Sequence, residues 1–170
     1  MVNKEPRPGY AFIRLRYPHM GKIESALWTD FLRKTKLRFI DIKYDIRVGI
    51  PIIPRRYLET YAYLKSKEKL TPHEYRELKI LEATIECFTA LTKLRIDAVG
   101  ETENEIWIFE VKPRAGRSAL GQLLSYGEWY RKQFNPMKPI KLAVVCYNVD
   151  PSMKYIFDRF GIHVFIPSKM

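Results

Sequence analysis

The stretch from Arg95 to Lys112 constrains this chain more than any other: Arg-Ile-Asp-Ala-Val-Gly-Glu-Thr-Glu-Asn-Glu-Ile-Trp-Ile-Phe-Glu-Val-Lys. It reads as a β-hairpin, with the polar run Glu101 to Asn104 as its turn. The second arm, Ile106 to Val111, is almost wholly apolar, yet it closes on Glu110 and Lys112. An apolar strand of this kind belongs in a core, and charged groups at its end are costly there unless they are paired or bound to a metal. With a tight turn at Glu103-Asn104, Asp97 falls opposite Glu110, and a four-residue loop still leaves both on one face. Side chains alternate along a strand, so Glu110 and Lys112 share that face. Directly opposed Cβ atoms lie about 5 Å apart. The hairpin therefore gathers two carboxylates and an ammonium at one spot. Two carboxylates that close repel each other unless a cation lies between them, and Mg²⁺ prefers a few carboxylates with waters and phosphate oxygens.

A helix is expected from about Ala119 to Phe134, capped by Ser118. It places Gln122 and Tyr126 four residues apart on one face. Asp97, Glu110-x-Lys112 and then Gln122-x-x-x-Tyr126 resemble the PD-(D/E)XK nuclease superfamily, in particular its RecB-like branch. The residue before Asp97 is Ile96 rather than the Pro of the family name. The resemblance implies a restriction-endonuclease-like fold: a mixed central β-sheet flanked by helices, in α-β-β-β-α-β order. It implies a Mg²⁺-dependent phosphodiesterase, with Mn²⁺ able to substitute, and DNA as substrate. By the same resemblance Asp97 and Glu110 would hold the metal, with the backbone carbonyl of Val111 as a further ligand. Lys112 would position the attacking water and offset developing negative charge, since two neighbouring carboxylates favour its protonated form. Gln122 and Tyr126 would position the Lys, the water or the substrate; core packing is the other reading of Tyr126. Glu24, on the first helix, would complete the metal shell as in several members, or would simply suit the helix dipole.

Charge fits an anionic partner. The formal net charge is +11 over 170 residues, a balance that favours polyanions through phosphate contacts. From Met1 to Arg56 there are 13 Lys and Arg against five Asp and Glu. Arg95, Arg114, Arg117, Arg55 and Arg56 are the candidate nucleic-acid contacts. Arg114 and Arg117 precede a helix N-terminus, where free amides favour phosphate, although solvated surface charge is the other reading. A non-catalytic nucleic-acid-binding protein with the nuclease fold is the alternative function. A basic assembly protein whose hairpin charges are only ion pairs is a third.

The remaining elements follow from pattern. Met1 to Met20 is expected as an arm, in which Tyr10 to Tyr17 pairs as a strand or lies on nucleic acid. A single domain then runs from Gly21 to Met170. Lys22 to Lys34 reads as a helix with Ile23, Leu27, Trp28 and Phe31 on one stripe. Leu37 to Gly49 reads as a strand and Arg55 to Lys69 as a helix. Thr71-Pro72-His73-Glu74 is a capping box that opens a helix to about Thr92. The segment 55–92 is then a helical insertion between the first and second core strands, serving either as a groove wall or as an extra core layer. Ile140 to Tyr147 is a buried strand, Pro151 to Phe160 a helix stopped by Gly161, and Ile162 to Ile166 the last strand.

No run approaches the ~20 apolar residues of a membrane span, and Met1 to Tyr10 lacks a signal-peptide core. Cys87 and Cys146, each within an apolar element, are expected as buried thiols of a reducing compartment, which suggests a cytoplasmic location. His19, His73 and His163 have no ligand spacing. Cleavage of duplexes or junctions would favour a homodimer, and the absence of motor motifs means that a RecB-like role would need a helicase or other DNA-processing partner, or would be a motor-free task such as viral, plasmid or repair DNA processing.

Overall fold

A computed structural model describes residues 10–170. Two compact units emerge, one from residues 10–48 and 95–170 and the other from Gly49–Leu94. The first opens with a short 3₁₀ turn, Tyr10–Phe12, followed by helix α1 (Lys22–Lys34) and strand β1 (Phe39–Val48). After the second unit come β2 (Leu94–Thr102), β3 (Ile106–Val111), the short β4 (Arg114–Ala115) and helix α4 (Arg117–Phe134). Strand β5 (Ile140–Val145), the short β6 (Asn148–Val149), helix α5 (Pro151–Arg159) and strand β7 (Ile162–Phe165) complete it. The fold is α/β, with a mixed five-stranded sheet in the order β1-β2-β3-β5-β7 flanked by helices.

The hairpin forms in the register expected from the sequence. Ala98 pairs with Phe109 and Glu101 with Ile106, and the Thr102 amide donates to the Glu105 carbonyl at 2.9 Å across the two-residue turn. Strand β3 then pairs in parallel with β5, and β5 in parallel with β7. All six side chains of β3 are buried, as expected of a strand covered on both faces.

Two apolar layers cover the sheet. On one side Trp28 and Phe31 of α1 meet Phe109 with ring centroids 5.0 and 5.4 Å apart, within the range of favourable aromatic pairs. On the other, Leu123 and Tyr126 of α4 and Phe157 of α5 pack with Ile108 and Val144. Helix α1 keeps the expected bounds, and Leu27, Trp28 and Phe31 are buried as expected together with Leu32, but Ile23 of the expected stripe is exposed. Gly100 is required by close approach: a Cβ there would come within 2.5 Å of the buried Phe39 ring. His19 and Asp45 adopt left-handed backbone conformations, with φ of 60° and 55°, at a cost of about 1–2 kcal/mol each.

The Gly49–Leu94 unit holds α2 (Arg55–Lys65) and α3 (Pro72–Thr92). Its core is Leu64, Leu78 and Leu81, with Tyr57, Tyr61 and Leu70 packed against it. Thr71 caps α3 as expected: its hydroxyl accepts the Glu74 amide at 3.3 Å, and the Glu74 carboxylate takes the Thr71 amide at 2.9 Å.

Several expectations need correction. Helix α2 ends at Lys65 rather than Lys69, because Leu64 is its last buried side chain. Helix α4 begins at Arg117 with Gly116 as its cap, so Ser118 lies inside the first turn and caps nothing. Tyr10 to Tyr17 does not pair as a strand; Tyr17 instead buries in the α1-side core, where its hydroxyl meets Thr29 at 3.1 Å. Residues 1–9 of the expected arm lie outside the described residues. Cys146 is buried but Cys87 is exposed, because it lies on a face of α3 away from Leu78 and Leu81. The pairing of β4 with β6 has no counterpart in the sequence reading.

Two core substitutions test this packing. Phe109→Ala should lower unfolding free energy by about 3–5 kcal/mol. Gly100→Ala should cost about 1–3 kcal/mol through overpacking against Phe39. Both are read from urea denaturation midpoints, and a Gly100→Ala variant as stable as wild type would show that the Phe39 ring yields freely.

Candidate active site

The ends of β2, β3 and the start of α4 place five of the predicted side chains together. Asp97 Oδ2 accepts the Val111 amide at 2.8 Å, which ties the side chain of one hairpin arm to the backbone of the other. Glu110 is only 3% exposed, and its Oε1 lies 3.0 Å from Lys112 Nζ. Its Oε2 is buried and has no hydrogen-bond partner among the described residues. Lys112 Nζ donates to Gln122 Oε1, and Gln122 Nε2 donates to the Tyr126 hydroxyl at 3.1 Å. Because Lys112 can only donate, these contacts fix which way the Gln122 amide faces. The four-residue spacing of Gln122 and Tyr126 puts both on the side of α4 that faces the sheet. Tyr126 is at once a core residue and the last member of this chain.

Burial sets the electrostatics. Desolvation, then the charge of Glu110, pushes the Asp97 carboxyl up to about 7. Glu110 is raised as well, chiefly by burial, against the opposing influence of Lys112 and the Tyr126 hydroxyl. Burial also raises Tyr126. Two carboxylates that resist ionising together, one with an orphaned oxygen, have the chemistry of a cation site. Among the described residues no three His, Cys, Asp or Glu side chains converge into a ready cage. Mg²⁺ needs none, since it keeps waters and takes one or two carboxylates plus substrate oxygens. The carboxylates of Asp97 and Glu110, one with its orphaned oxygen, fit such an ion.

Glu24 stands at the margin of this cluster. Its carboxylate accepts the Gly21 amide at 2.8 Å at the N-terminus of α1. Its charge nonetheless contributes to raising both Asp97 and Glu110.

The predicted basic residues divide. Arg95 faces His19 and Asp45, with its Nε 3.7 Å from Asp45 Oδ1; sequence reasoning missed these two partners, and Asp45 carries no local signal beyond its tolerance of positive φ. Arg114 is exposed and 3.8 Å from Asp150, on the β4–β6 ladder. Arg117 is the exposed first residue of α4. Arg55 and Arg56 belong to the Gly49–Leu94 unit, where Arg55 pairs with Glu59 at 2.6 Å and Arg56 stacks on Tyr57.

No protein-family model, curated protein or solved structure matches this chain.

The raised Asp97 predicts an unusual dependence on pH. The folded protein takes up a proton that the unfolded chain, with its ordinary carboxyl near 3.8, has already lost. The stabilisation from that proton is present at low pH and is lost as pH rises through about 7. In EDTA, the melting temperature of wild type should therefore fall relative to Asp97→Asn between about pH 5 and pH 8. Parallel curves would place Asp97 in an ordinary environment.

Proposed function

We propose that the chain is a metal-dependent nuclease of the PD-(D/E)XK type, acting on DNA. The observation that carries the reading is the meeting of Asp97, Glu110 and Lys112 at one end of a buried strand, with Lys112 held by Gln122 and Gln122 by Tyr126. The element order supports it. Helix α1 and strands β1, β2 and β3 precede α4 and β5, and the Gly49–Leu94 unit falls between β1 and β2. This is an α-β-β-β-α-β succession with a helical insertion. A net charge of +11 suits a phosphodiester polymer.

Hydrolysis requires a water to attack phosphorus while the bond to the leaving oxygen breaks. A divalent cation, Mg²⁺ or Mn²⁺, would supply charge relief for the phosphoryl and leaving oxygens. Asp97 and Glu110, with the Val111 carbonyl, would hold it. Lys112 lies 3.0 Å from Glu110, so it can orient the attacking water beside those carboxylates and stabilise the charge that grows on phosphate. Gln122 and Tyr126 act through Lys112: they are positioning residues that limit where Nζ can point. Among the described residues no helix is long and apolar enough to cross a membrane.

The test compares wild type with Lys112→Ala on labelled single-stranded, duplex and branched DNA and on RNA, in Mg²⁺, Mn²⁺ and EDTA. Cleavage should require metal and fall by about 10²–10³-fold in the variant. If every substrate survives while both proteins bind DNA equally, a non-catalytic binding protein is the better description.

A further inference from the structure

Asp45 is the anomaly of strand β1. It has φ of 55° within an edge strand, where its neighbours are extended. Such a residue is what a β-bulge uses to re-aim a side chain, and bulges gather next to active sites. The side chain it aims meets three donors. Asp45 Oδ2 is 2.9 Å from His19 Nε2, and Oδ1 is 3.3 Å from Arg47 Nε and 3.7 Å from Arg95 Nε. Oδ1 is buried and forms no well-aligned hydrogen bond with either arginine. Arg95 also donates to His19 Nδ1. Arginine has no acceptor, so Nδ1 accepts, and the other ring nitrogen, Nε2, lies against Asp45. His19 is itself left-handed, with φ of 60°. Two strained residues are thus joined by their side chains around two guanidinium groups.

This arrangement is a poor way to gain stability. Partly exposed ion pairs contribute little, whereas left-handed non-glycine residues persist only where their surroundings enforce them, and they concentrate at functional sites. Among the described residues one carboxylate leaves most donors of the two arginines unused, and the side chains of Arg95, Arg47 and His19 are 40%, 29% and 43% exposed. The cluster is therefore cationic, rigid and open to solvent. Arg95 lies two residues before Asp97 on β2, which puts their backbone positions about 7 Å apart. That is close to the spacing of successive phosphates along one nucleic-acid strand.

We propose that Arg47 and Arg95, held by Asp45 and His19, form a seat for a backbone phosphate adjacent to the one at Asp97 and Glu110. The identity of the ligand rests on the nuclease reading; the seat rests on its own geometry. Asp45 and His19 are the positioning residues, and the two guanidinium forks make the contact.

Binding measured without catalysis tests this. Fluorescence anisotropy of labelled single-stranded and duplex DNA in EDTA would compare wild type, Arg47→Gln, Arg95→Gln and Arg95→Lys. Arg131→Gln, on the C-terminal part of α4 and paired with Glu128, removes the same charge elsewhere. Arg47→Gln and Arg95→Gln should each weaken binding roughly three- to tenfold and reduce the slope of log K against log salt by about 0.7–0.9. Arg95→Lys should recover the slope but only part of the affinity, because an ammonium cannot replace the fork. Arg131→Gln should change neither, and thermal melts confirm that each variant is folded. Slopes for Arg47→Gln and Arg95→Gln equal to wild type, in a protein that binds and cleaves, overturn the seat alone. A folded wild type that binds no nucleic acid overturns the nuclease reading and the seat with it.

Discussion

The register of the β2–β3 hairpin is the constraint from which the site follows. Because side chains alternate along a strand, a slip of one residue would send Glu110 and Lys112 to the α1 face and bring Phe109 against α4. The two-residue turn at Glu103-Asn104 prevents that slip, and so does the burial of every β3 side chain. Strand β5 then copies the register in parallel, with Val144 beside Glu110 and Val145 beside Val111. Asp97 adds a second lock by accepting the Val111 amide. The core and the carboxylate pair are specified by the same pairing, and neither can shift without the other.

Burial gives those carboxylates their character. An exposed Asp and Glu at this distance would both ionise, their repulsion screened by water. Here apolar layers cover both faces of the sheet, and the folded chain retains a local electrostatic conflict that Lys112 relieves on one side only. Such a conflict is a cost to stability in the protein alone and a source of affinity for a cation. The path from Lys112 through Gln122 to Tyr126 anchors the polar end of the cluster in the apolar layer beneath α4.

Much of this was legible in the sequence, because the elements concerned have strong local signals. Thr71 to Glu74 carries cap, proline and reciprocal Glu together, and α3 begins there. The Leu27, Trp28 and Phe31 stripe marks α1 to the residue. The hairpin combines a polar turn with a continuous apolar arm. The misses share a different cause. Ser66 to Lys69 is compatible with helix in composition, but α2 ends at Lys65, one residue after its last buried side chain, Leu64. Ser118 has the better capping side chain, but α4 begins one residue before it, at Arg117, with Gly116 in the cap position. Strands of two residues, such as β4 and β6, have no period to detect. The bend at Asp45 is set by partners at His19, Arg47 and Arg95, two of which are remote in sequence.

The Gly49–Leu94 segment leaves the sheet after β1 and re-enters at β2, and these two strands are hydrogen-bonded neighbours. The ends of the excursion are thus pinned by the ladder itself. Each doubling of a closed loop costs only about 0.6 kcal/mol in entropy. Shortening that excursion to a tight turn should therefore cost little in closure entropy and leave the spacing from Asp97 to Tyr126 unchanged.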